Sequence, residues 1–171
     1  MGLFSSQVKA QGALDNKAKL TAAFIYQITK FTLWPDSLFK SNNPVFTICV
    51  LGNIEEILYT HLTELEKKST QGYQIKLLQL DNNQQLFDGS SNNCKVLYAT
   101  DEQWKDLTSK QINNLTQTTL LIGNSTDFLE HGGMLALLVV NNKMKIFINS
   151  INIDKTPIRL ESRLKALAKA V

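Results

Sequence analysis

Histidine and cysteine occur only twice each in the 171 residues, proline three times and glycine eight times. That scarcity excludes collagen-like, proline-rich and disulfide-dense scaffolds. His61 and His131 stand in no His-Glu-x-x-His pattern, and Cys49 and Cys94 in no Cys-x-x-Cys pattern, so no metal ligand set is expected. No run approaches the roughly 18 uninterrupted apolar residues of a membrane-spanning helix. The longest, Met134 to Val140, reads as a strand. Charge of one sign is also in short supply: 18 Lys and Arg against 15 Asp and Glu leave a net +3. Nucleic-acid backbones select for a clustered basic field, which this chain does not have, so nucleic acid is not a partner. A Gly-x-Ser-x-Gly elbow, a Walker loop and a Gly-x-Gly-x-x-Gly turn are all missing. Without a paired base and nucleophile the chain offers no catalytic residue. It is read as a non-enzyme that needs no cofactor.

What is present suits one folded domain. A hydrophobic content of 43% over this length can bury a sizeable core. From Asp15 to Leu33 neither glycine nor proline intervenes, and Ala18, Ala22, Ile25 and Thr29 recur at helical spacing, with Thr32 or Leu33 next. Pro35 forces Trp34 out of the helical region and closes that helix. Val45 to Leu51 is a continuous apolar run and predicts a strand buried on both faces. Helix is expected over Ile54 to Lys68, a strand over Tyr73 to Leu80, and a polar connection over Asp81 to Asn93. Strands at Cys94 to Ala99 and Thr118 to Ile122 alternate with helices at Glu102 to Asn113 and Thr126 to Glu130. Alternation of this kind argues for a parallel sheet with helices on both faces.

The pattern then changes. Met134 to Val140 and Lys143 to Asn149 are separated only by Asn141-Asn142, which tolerate positive φ, so an antiparallel hairpin is expected. A last helix carries Leu160, Leu164, Leu167, Ala168 and Val171 as one stripe. The fold class is therefore α/β: a single mixed, mainly parallel sheet with a C-terminal hairpin and helix. Residues 15–171 form the domain, and residues 1–14 read as a tail, a clipped export signal or a cloning remnant. The Met1-Gly2-x-x-x-Ser6 spacing of an acylation signal is taken as coincidence.

Gly52-Asn53 and Gly123-Asn124-Ser125 follow strands and lead into helices. Open α/β sheets bind small molecules at such strand ends, although every βα unit also needs a turn and a cap there. Cys49 and Cys94 lie on strands that are plausible neighbours, where a bond would close a loop of 45 residues. Two buried free thiols are equally compatible with the composition. His61 falls on the polar side of its helix, and His131 ends a short helix where positive charge is favourable.

A known pattern emerges at Lys19-Leu-Thr-Ala-Ala-Phe-Ile-Tyr-Gln-Ile-Thr-Lys-Phe-Thr-Leu-Trp-Pro35, whose Phe24, Tyr26, Lys30, Phe31, Trp34 and Pro35 are the recurring positions. Ile48-Cys-Val-Leu-Gly52, Cys94-Lys-Val-Leu-Tyr98, Gly132-Gly133-Met134, Lys145-Ile-Phe147-Ile-Asn149 and a closing helix with Leu160, Ser162 and Leu164 follow in order. Over residues 17–171 the chain resembles the YfiR-like (DUF4154) family. That resemblance implies a periplasmic, non-catalytic regulator that binds the periplasmic sensor region of an inner-membrane, membrane-anchored diguanylate cyclase of the YfiN type and inhibits it. It would link envelope or redox stress to cyclic di-GMP and biofilm formation. It also favours an oxidised Cys49–Cys94 pair. Some relatives carry a second pair that this chain lacks, and Thr29 and Leu33 stand where relatives often have Ala and an acidic residue.

The motif residues also have plain structural uses, with Phe147 turned inward beside Lys145 and Asn149. The opposite hairpin face, Met144, Ile146 and Ile148, continued by Ile151, Ile153 and Ile158, is expected to be exposed and to dock the partner. A homodimer is a further expectation. The alternative function is a periplasmic small-ligand sensor, using the strand ends near Gly52 and Gly123 and signalling to a kinase or cyclase.

Overall fold

The computed structural model describes residues 3–42, 44–89 and 93–171. Met1 and Gly2 of the acylation spacing and Ser90 to Asn92 of the polar connection lie outside them. Helix α1 spans Leu3–Lys30, longer than its periodic stretch. Gly12 does not stop it, since one glycine costs a helix only about 1 kcal/mol relative to alanine. Ala18, Ala22, Ile25 and Thr29 are buried, as the spacing predicts; Ile28 and Thr32 are buried with them, and Leu33 is exposed. Beyond Lys30 the chain straightens into β1 (Thr32–Leu33), followed by a 3₁₀ turn at Asp36–Phe39.

Strand β2 (Phe46–Leu51) is buried along its whole length and leads to α2 (Glu56–Thr63), whose last turn tightens into a 3₁₀ segment at Glu64–Lys67. A short β3 (Ser69–Thr70) turns into β4 (Tyr73–Leu80). At that turn Gln71, with φ +54°, donates from Nε2 to the carbonyls of Thr29 (2.9 Å) and Thr32 (3.1 Å). The Thr29 carbonyl, orphaned at the end of α1, is thereby satisfied together with that of Thr32 in β1.

After β5 (Cys94–Ala99) the expected single helix is two, α3 (Asp101–Trp104) and α4 (Ser109–Leu115). Thr108 and Gln111 form a reciprocal capping box that starts α4 afresh. Then come β6 (Leu120–Gly123), α5 (Thr126–Glu130), β7 (Leu135–Val140) and β8 (Lys143–Ile148). Asn141 and Asn142 take φ of +50° and +60°, the turn that the sequence predicts. The C-terminal part departs from expectation: it holds α6 (Ser150–Asp154), β9 (Arg159–Leu160), α7 (Ser162–Leu167) and β10 (Ala168–Ala170). Leu160 and Leu164 are buried, but Leu167 and Val171 are exposed because the helix ends and the chain pairs beside β8.

The large sheet has the order β10-β8-β7-β6-β5-β2-β4-β3, and β1 pairs with β9 in a small antiparallel sheet. Strands β4, β2, β5, β6 and β7 are mutually parallel, while β8 is antiparallel to β7. The connections run one way from β2 to β4 and the other way from β5 onward. With right-handed crossovers, that reversal puts α2 on one face and α3 to α5 on the other. The observed packing of α1 with α2 and of α3 with α5 agrees. The fold is thus a mixed α/β sheet, mainly parallel, with helices and a small second sheet.

Candidate functional site

The reversal point lies between β2 and β5, and doubly wound sheets open a crevice outside the carboxyl ends of such strands. A cavity of about 700 Å³ occupies that place. Asn53 and Glu55 reach it from the turn after β2, Tyr98, Thr100 and Glu102 from the end of β5, and Asn124 from the turn after β6. Helix α1 closes one side with Lys17, Ala18 and Thr21, while Leu137 to Val140 of β7 and Leu58 of α2 add an apolar wall.

Of the residues expected at this edge, the structure brings Asn53 and Asn124 to one cavity. Gly52, Gly123 and Ser125 serve the backbone instead. The space above Gly52 (φ +73°) is filled by Gln103, and Gly123 and Gly133 both lie against the Phe128 ring, where a Cβ would overlap it. Ser125 caps α5 by accepting from the Phe128 amide at 3.0 Å. Sequence reasoning missed Lys17, Glu55, Tyr98 and Glu102. Position just past a parallel strand could have found the two glutamates, whereas Lys17 reaches the site only through the packing of α1.

Tyr98 is buried, and that burial, reinforced by the charge of Glu55, pushes its hydroxyl up to about 12. Lys17, Glu55 and Glu102 make no ion pair with any described residue, whereas His61 pairs with Asp15 (2.8 Å) and Lys67 with Glu64 (2.6 Å) elsewhere. Charges of both signs therefore face the cavity unneutralised. Among the described residues no cluster of His, Cys, Asp or Glu is suited to a metal ion.

Cys49 and Cys94 are bonded, with Cα atoms 5.7 Å apart and both side chains buried. Their strands are neighbours, but adjacency alone does not join them. Thr47 is the register partner of Cys94 and Ile48 that of Val96, so Lys95 is an extra residue. Register partners share a face, and the bulge rotates Cys94 onto the face of Thr47 and Cys49 while Val96 stays with Ile48. Lys95 itself is buried; its Nζ donates to the Asn93 carbonyl (3.3 Å) and lies 5.3 Å from the Phe39 ring centroid.

The hairpin face expected to be exposed is not. Met144, Ile146, Ile148, Ile153 and Ile158 are all buried, and only Ile151, at 68% exposure, meets solvent. The two faces of β8 are interchanged relative to expectation: Lys145 and Phe147 are half-exposed, while Ile146 pairs across from Leu137 in the core. Helix α1 packs onto β8, and β10 covers its edge, which removes the surface that partner docking would need. Asn149 fastens the hairpin end, capping α6 at the Asn152 amide (3.1 Å) and donating to the Leu129 carbonyl (3.2 Å).

The first motif block forms a different surface. Trp34 is buried edge-on against Phe46, with ring centroids 5.3 Å apart, and Pro35 and Phe24 are half-buried. Tyr26 is flanked by Lys30 and Lys68, at 5.5 and 4.9 Å from its ring centroid, and Arg163 lies 5.4 Å over Phe31. Leu33 is 53% exposed beside its register partner Arg159. None of these four cations has a carboxylate partner among the described residues. Ser162 is exposed at the start of α7, next to Arg163.

These motif residues lie inside the stretch 18–169, which matches the family described as YfiR/HmsC-like, DUF4154. The chain belongs to the YfiR/HmsC-like family. YfiR-like proteins are a family of regulators. Among solved structures, the YfiR/HmsC-like chain is similar to the crystal structure of a conserved domain protein from Vibrio cholerae O1 biovar eltor str. N16961. The two share 15% identity at a TM-score of 0.51, over 87% of this chain and 59% of the other. At that identity the likeness is one of fold, and this chain spans little more than half of its relative's length. No curated protein matches. Among the described residues no helix is long and apolar enough to cross a membrane.

Proposed function

We propose that this YfiR/HmsC-like protein is a periplasmic, non-catalytic regulator that binds the periplasmic sensor region of an inner-membrane diguanylate cyclase and holds the cyclase in an inactive state. The observation that carries the reading is the family match over residues 18–169. The buried Cys49–Cys94 bond supports an oxidising compartment. A regulator of this kind acts by binding one state of its partner more tightly than the other, which shifts a two-state equilibrium without turnover.

With the hairpin face inside the core, the contact surface is assigned to the motif face. Its unpaired Lys30, Lys68, Arg159 and Arg163, backed by Tyr26, Phe31 and exposed Leu33, suit an acidic segment bearing an apolar side chain. The test pairs calorimetry on the isolated sensor region of such a cyclase with cyclic di-GMP measured in cells that export the regulator. Binding and a fall in cyclic di-GMP are expected. Leu33→Asp, or Lys30→Glu with Arg163→Glu, should weaken binding about tenfold or more, one desolvated hot-spot contact, at an unchanged thermal midpoint. No binding and no change in cyclic di-GMP would refute the regulator; binding that ignores these substitutions would move the surface elsewhere.

A further inference from the structure

The cavity at the strand reversal has a chemistry that the regulator reading does not use. One ammonium, Lys17, and two carboxylates, Glu55 and Glu102, line it together with the amides of Asn53 and Asn124. None of the three charges is neutralised by a protein partner among the described residues. All five of these side chains are open to solvent, where water screens the three charges, and Tyr98 behind them is buried. An apolar ribbon, Leu137 to Val140, also lines it.

Each ligand class can be weighed against that lining. A nucleotide or inorganic phosphate needs converging donors and a positive field, and here carboxylates outnumber the single lysine. A purely apolar ligand would strip water from three charges without replacing it. An anion of one charge would meet Lys17 but also both glutamates, and a simple amine would leave Lys17 unpaired. A molecule carrying an ammonium and a carboxylate on one short stem answers both signs at once.

We propose that this cavity is a binding site for a free amino acid. The ligand's ammonium lies toward Glu55 and Glu102, its carboxylate toward Lys17, and its side chain along Leu137 to Val140. The volume, about 700 Å³, is within the range of roughly 300 to 1,000 Å³ usual for small-molecule sites. Because Lys17 belongs to α1 and the glutamates follow β2 and β5, the ligand ties α1 to the carboxyl edge of the sheet. The motif face begins on the same helix, at Tyr26 and Lys30. Occupancy of the cavity is thus placed to alter the surface assigned to the partner.

The test uses the full chain, with thermal unfolding and calorimetry against each standard L-amino acid, then against the amide and the N-acetyl derivative of any that binds. The expected result is one amino acid that binds with one-to-one stoichiometry and raises the midpoint. Its amide and its N-acetyl form should each bind about tenfold more weakly or worse, as one charge-assisted contact is lost. Glu55→Gln and Lys17→Met should show the same loss, and because both side chains are exposed the unliganded midpoint should not move. The proposal is overturned if no amino acid binds, if the one-charge derivatives bind as well as the parent, or if both variants bind like the native chain. Binding of the cyclase sensor region is measured separately and without amino acid, so the regulator can stand while the ligand site falls.

Discussion

Lys95 and Tyr98 show how far single positions on one strand can depart from their ordinary chemistry. Desolvation lowers Lys95 from 10.5, and burial aided by Glu55 raises Tyr98 from 10.0 to about 12. The signs of the two linkages differ. Between the lowered Lys95 value and 10.5 the unfolded chain binds more protons, so stability rises with pH; between 10.0 and about 12 the folded chain keeps the Tyr98 proton that the unfolded chain loses, so stability falls. Urea unfolding followed from neutral to strongly alkaline pH should therefore show Lys95→Met flattening the rise and Tyr98→Phe removing part of the fall. A phenolate absorbance titration should lose its latest component in Tyr98→Phe; an unchanged titration would show that the buried hydroxyl is not the late group. Neither residue was legible as unusual from sequence, because burial of a lysine depends on which strand flanks it.

At the scale of elements, most helices and strands were legible because their signals are local. Apolar runs, Pro35, Asn141-Asn142 and the capping residues act within a few positions of themselves. The capping box at Thr108 and Gln111 was equally local and would have split the expected helix into α3 and α4. The orientation of the hairpin was not legible. Strand β8 carries large apolar groups on both sides, Met144, Ile146 and Ile148 against Phe147, so alternation cannot say which side is inside until α1 packs onto it. Ile146→Ala should accordingly cost about 2–5 kcal/mol in urea unfolding, the range for emptying a buried site. Ile146→Asp should cost more, since it adds an unpaired buried carboxylate. A near-neutral Ile146→Asp would return that face to the surface.

The whole molecule is where the disulfide acts. Closing the 45 residues between Cys49 and Cys94 removes about 4 kcal/mol of chain entropy from the unfolded state in the loop-closure treatment. Reduction, or the double replacement by alanine, should lower the thermal midpoint by roughly 8–16 °C at the usual sensitivity of a domain this size. Intact mass after alkylation without reductant should show both thiols protected. An equal midpoint with and without reductant would leave the bond without a role in stability.

The amino-acid sequence by itself determined the mixed α/β class, the hairpin turn, the helix face of α1 and the family, because each rests on periodicity or on residues close together in the chain. Only the tertiary structure decided four things: the strand order, the bulge at Lys95 that turns Cys94 toward Cys49, the buried side of β8, and the cavity shared by Lys17, Glu55 and Glu102. Each of those depends on contacts between segments far apart in sequence. Their energies come from packing and desolvation at the meeting point, and neither segment carries that information alone.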